Sequence, residues 1–139
     1  MADQYNLQRF VDAQENVFGQ VVAELRARCK IGHWMWFIFP QLRGLGSSPT
    51  ASRFGISGLP EAQAYLQHPI LGPRLGECTQ LTIAANRASI TEIFSYPDNL
   101  KFRSSMTLFL RAGADHGVFS HALDKYFGGA PDPLTLERL

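Results

Sequence analysis

Apolar residues recur three and four positions apart along most of the chain, the period of helices that bury one face. Leu7, Phe10 and Val11 start the pattern, with Asn6 in place as a cap. It restarts at Asn16, the expected cap of a second helix carrying Val17, Val21 and Leu25, widened by Phe18 and Val22 and stopped by Gly32. Arg26, Arg28 and Lys30 crowd the end of that helix, where cations complement free carbonyls. Ser48 and Pro49 predict a short helix ended by Gly55. Pro60 opens another through Ala62, Tyr65 and Leu66, which stops before His68-Pro69. Leu71, Leu75, Cys78, Thr82 and Ala85 form the cleanest stripe, with His68 available as its cap. Ser89 then caps a turn through Ile90, Ile93 and Phe94.

From Pro97 the pattern changes. Leu100, Phe102, Met106, Leu108, Phe109 and Leu110 cover most of a helix circumference, so this helix is expected inside the others. Asp115 caps a further helix through Phe127, stopped by Gly128-Gly129, and Asp132 opens a last turn through Leu136. The run Trp34 to Phe39 has no second strand to pair with and reads as a buried, turn-rich connection or short helix. The expected fold is all-α: one compact helical domain over residues 1–139, with a central buried helix at about 97–112.

Composition narrows the function class. The chain has 139 residues, 45% of them hydrophobic and 12% aromatic, enough for one sizeable core. A net charge of +1 gives no reason to expect nucleic acid or an anionic membrane as partner. Ten arginines against three lysines fit base composition or a demand for planar forks on carboxylates or phosphates, and base composition is the plainer reading. Cys29 and Cys78 lie far apart and suit a reducing compartment. The N-terminus has no basic region followed by an apolar run, and the longest apolar run is about a third of a membrane span. A cytoplasmic location is expected; the pattern does not specify an oligomeric state.

The chain resembles a bacterial family of unknown function, number 1810 in the domain-of-unknown-function series. The resemblance rests on Leu7 to Gln14, His33 to Gly46, Ala64 to Pro69, Lys101 to Phe109, Phe127-Gly128-Gly129, Asp132 and Thr135-Leu136. It covers nearly the whole chain, and its His-Trp-Met-Trp-Phe block is unusual. The resemblance implies a mainly helical fold and no established activity. The calpastatin label sometimes attached to members does not suit a chain without disordered repeats. The aromatic-rich segments and the helix containing Lys101-Phe102 are also similar to helical proteins that hydrolyse ADP-ribose N-glycosidic bonds, an analogy of pattern alone.

Three constellations carry candidate chemistry. In the first, Trp34, Trp36 and Phe37 offer rings to stack a planar ligand, bracketed by the polar His33 and Gln41; plain core packing is the commoner use of such rings. The second runs from Arg43 through Ser47 and Ser48 to a helix start, a geometry that can hold phosphate but lacks the nucleotide-binding Gly-Lys-Ser/Thr ending. The third places Lys101, Ser104 and Ser105 on one side of the central helix, where an inward lysine needs a partner. Asp98 and Asp132 are the carboxylates for acid–base work, though both also suit helix starts. His116 and His121 are five apart and share no face, so no metal is expected, and no motif calls for a cofactor. The leading expectation is a domain that binds, with or without hydrolysis, a phosphate-bearing, nucleotide-like small molecule such as an ADP-ribose derivative. The rival is a non-enzymatic interaction or homo-oligomeric module with the aromatic block as core or interface.

Overall fold

The computed structural model describes residues 3–86, 89–113 and 117–139. Among them the helices are α1 (Gln8–Glu15), α2 (Phe18–Arg26), α3 (Met35–Ile38), α4 (Pro49–Arg53), α5 (Leu59–Gln67), α6 (Leu71–Ala84), α7 (Asp98–Ala112), α8 (Gly117–Phe127) and α9 (Pro133–Arg138), with a 3-10 turn at Ile90–Glu92. The fold is all-α, as the periodicity predicts.

Helices α5 and α8 each pack on both α6 and α7, so the four make a square with α6 and α7 on one diagonal. Helix α2 covers the outside of α6, α3 and α9 flank α7, and α1 lies on α3. Helix α7 is the central one, burying Phe102, Ala112 and the unbroken run Ser104 to Phe109. Two chains of rings fill the interior. Phe39 meets Phe102 edge-on at 5.0 Å and Phe94 at 5.7 Å, while Tyr65 meets Phe10 at 5.1 Å and Phe109 at 5.2 Å.

The α5–α6 corner needs a glycine. A Cβ on Gly72 would lie 2.2 Å from the Leu66 carbonyl oxygen, a backbone atom that cannot move aside.

Several local cap signals hold. Ser48 accepts the Ala51 N–H at 3.0 Å before Pro49. Ser89 accepts from Thr91 while Glu92 reaches back to the Ser89 N–H, forming a capping box. His68 Nδ1 accepts from Ile70 and Leu71 at the start of α6. Asp115 and His116 lie outside the described residues.

Several expectations are corrected. Asp3, not Asn6, caps α1: its carboxylate accepts the Leu7 and Gln8 N–H groups at 2.8 Å each, and Asn6 sits at φ 51. The bonds from Gln8 and then Leu7 hold the Asp3 carboxyl below its ordinary value. Val17 takes the N-cap position of α2 without a side-chain bond, and Asn16 closes α1 instead. Helix α2 ends at Arg26, well before Gly32, because Arg28 turns left-handed at φ 64. Lys30 is no cap either; its ammonium reaches Asp98 at 2.7 Å. The aromatic stretch forms α3, the short helix expected of it, and the chain beyond it makes one parallel bridge between Leu42 and Ile56.

One buried ion pair fastens α1 to α5. The side chains of Arg9 and Glu61 are 9% and 2% exposed and meet at 2.8 Å.

Candidate functional site

The loop from α2 to α3 would be irregular and costly without a partner for its N–H groups. Glu24 supplies it: one carboxylate oxygen accepts the Ile31 N–H at 2.8 Å, the Gly32 N–H at 2.9 Å and the Trp34 indole N–H at 2.9 Å. Gln20 donates to the other oxygen at 2.7 Å. Burial pushes this carboxyl up, but the bonds from Gly32, Ile31, Gln20 and Trp34 outweigh it and bring it down to about 2. The loop so fixed forms one wall of an open cleft of about 370 Å³, contributing Lys30, Ile31 and His33. Ser95, Pro97, Asp98 and Lys101 form the facing wall, with Trp36 between.

Asp98 sits between two ammoniums, 2.7 Å from Lys30 and 3.4 Å from Lys101. Lys101 also lies 4.3 Å from the centre of the Trp36 ring, so its charge rests on an aromatic face. Two cations against one carboxylate leave the cleft with excess positive charge.

A second cleft of about 250 Å³ adjoins the first and shares Pro97 and Lys101 with it. Leu45, Leu100 and Leu134 give it apolar walls, and Gln41, Ser104 and Asp132 supply polar groups. Beneath both, Met35, Phe39, Ala51 and Phe54 pack under Trp36, Gln41 and Lys101 with no room for water. Asp132 is fixed by its own network: its Oδ2 accepts from the Thr135 N–H at 3.0 Å, the Thr135 hydroxyl at 2.6 Å and the Ser104 hydroxyl at 3.2 Å.

The structure thus brings together His33, Trp36, Gln41, Asp98, Lys101, Ser104 and Asp132 around the two clefts. It does not bring the other candidates there. Trp34 is buried and bonded to Glu24, and Phe37 packs on Phe54 at 5.4 Å. Arg43 donates to the Gly55 carbonyl at 3.3 Å, and Ser48 is occupied as a cap. Ser47 is exposed and lines neither cleft. Ser105 is wholly buried, its hydroxyl without a hydrogen-bond partner. The expected phosphate loop is therefore split, with Leu45 and Gly46 on the second cleft and its serines elsewhere.

Sequence reasoning missed Lys30, Ile31, Ser95, Leu100 and Leu134 as lining residues. Unexpected exposure is the signal they share in part: Ile31 is 78% exposed, Leu134 59% and Leu100 47%, joined by Tyr96 at 76%. Among the described residues no group of three histidines, cysteines or carboxylates is placed to hold a metal ion. Among the described residues no helix is long and apolar enough to cross a membrane.

Comparison with known proteins adds a family and a fold relative. The crystal structure of the conserved hypothetical protein Rv1873 from Mycobacterium tuberculosis is similar over 99% of this chain and 98% of that one, at 59% identity and a TM-score of 0.97. Among curated proteins none matches. A family model described as "Protein of unknown function (DUF1810)" matches residues 4–139, nearly the whole chain. The chain belongs to the DUF1810 family.

Proposed function

We propose that the paired clefts bind a phosphate-bearing, nucleotide-like small molecule, an ADP-ribose derivative being one such ligand. The observation that carries this reading is the position of Lys101, among the described residues the one charged side chain shared by both clefts. An anionic centre over Lys101, with Lys30 and His33 beside it, would leave one ring against Trp36 and another group among Leu45, Leu100 and Leu134. Asp98 holds Lys30 closely and Lys101 loosely, so Lys101 is the ammonium freer to meet a ligand. Any hydrolysis falls to a carboxylate in the clefts. Asp98, on the first cleft, and Asp132, on the second, are the two candidates.

Calorimetric titration and thermal melts with ADP-ribose, NAD, AMP and inorganic phosphate test it. A ligand at one hundred times its dissociation constant adds about 2.7 kcal/mol of stability. Lys101→Met, which keeps the stem and removes the charge, is expected to weaken binding at least about tenfold, the order expected for losing a charged contact. Chromatography of the bound nucleotide after incubation shows whether it is cleaved.

The exposed Ile31, Tyr96, Leu100 and Leu134 favour a second reading, a non-enzymatic docking module or homo-oligomer. No stabilisation by any of the four compounds, together with a dimer mass that Leu134→Asp reduces to a monomer, would replace the first reading with this one.

A further inference from the structure

Asp132 is held more firmly than a helix cap requires. Its N–H donates to the Thr107 hydroxyl at 2.8 Å, and Arg103 donates to the carbonyls of Ala130 at 3.0 Å and Pro131 at 3.1 Å. All three donors to its carboxylate converge on Oδ2. The Ser104 hydroxyl has one proton, divided between Oδ2 and the Leu100 carbonyl at 3.0 Å. Among the described residues Oδ1 accepts nothing, and the residue lines the second cleft.

From this asymmetry we infer that the second cleft selects an unphosphorylated ribose, with Asp132 accepting from its 2′,3′-diol. The inference rests on the nucleotide reading above. An ionised carboxylate only accepts hydrogen bonds, so whatever sits against Oδ1 must donate. A vicinal diol presents two donors, and a carboxylate on a ribose 2′-hydroxyl is a recurrent way of choosing it over a 2′-phosphate. A phosphate there would face a fixed negative charge between leucine walls, where the repulsion is stronger than in water. The cation lining this cleft is Lys101, shared with the first. The charges therefore sort the ligand, its 5′-phosphate toward Lys101 and its diol toward Asp132.

The test uses three probes on the full chain: AMP, 2′-deoxy-AMP and adenosine 2′,5′-bisphosphate, titrated calorimetrically. The wild-type protein is expected to bind AMP about tenfold tighter than the deoxy compound, the order of one hydrogen bond to a charged group, and to bind the bisphosphate more weakly still. Asp132→Asn keeps a good helix cap while removing the charge. It should recover the bisphosphate about tenfold relative to AMP. Equal affinity for all three probes overturns this inference alone, and so does an unchanged bisphosphate ratio in a folded Asp132→Asn. Binding of none of them overturns the nucleotide reading and this inference with it. The wild-type comparison decides the question even where the variant fails to fold.

Discussion

Arg9→Ala is expected to lower the melting temperature by roughly 10–15 °C, from a loss of about 3–5 kcal/mol on breaking a buried ion pair. The guanidinium has five N–H protons and the structure offers five acceptors. Nε donates to the Arg53 carbonyl at 2.8 Å, and Nη1 to those of Tyr5 at 2.6 Å and Asn6 at 2.8 Å. Nη2 takes the Gly55 carbonyl at 3.0 Å and Glu61 at 2.8 Å. The other Glu61 oxygen holds the Ser57 N–H and hydroxyl. Truncating Arg9 leaves Glu61 charged and nearly solvent-free, with its partner gone. Lysine should not rescue, since an ammonium has three donors and no planar fork. Arg9→Met with Glu61→Met should recover only part of the loss: both charges go, but four carbonyls and the Ser57 N–H lose their partners. Scanning calorimetry checks all three, and a drop below about 3 °C in Arg9→Ala would show that the pair contributes little.

Acid should act chiefly through Glu24. Its folded-state carboxyl titrates at about 2 against an ordinary value of 4.5. A depressed folded value means that the stabilisation is complete above pH 4.5 and lost as pH falls toward 2. The shift corresponds to something on the order of 3 kcal/mol. Asp3, also lowered, adds in the same direction at the acid end. Glu24→Gln is expected to lose a similar amount near neutrality and to flatten the decline between pH 5 and 2. Urea midpoints across that range measure it; a variant whose profile superimposes on the wild type would remove Glu24 from the account.

What was legible in the sequence was local. Ser48-Pro49, the Ser89 cap and the all-round apolar helix that became α7 each depend on residues within a turn or two of one another. What was not legible depends on closure in space. Glu24 looks like an ordinary charge on an amphipathic helix until the loop after α2 folds back on it. Lys30 looks like a helix cap until α7 brings Asp98 to it. Arg9 and Glu61 are 52 residues apart. Of the candidate site, the polar residues flanking the aromatic block and those on the outer side of α7 come together at the clefts, whereas Trp34 and Ser105 turn inward. A period of 3.6 residues says which side of a helix is apolar. It does not say which neighbour covers the rest.

The chain has two tryptophans, two positions apart, and their surroundings differ. Trp34 is sealed in the core with its indole N–H on Glu24, so its emission follows unfolding and the protonation of that carboxylate. Trp36 lies half-buried beneath the Lys101 ammonium, and its emission follows whatever draws that charge off the ring. A Trp36→Phe chain therefore keeps the Trp34 signal of unfolding and Glu24 protonation, and the difference spectrum against the unaltered protein isolates the ring beneath Lys101.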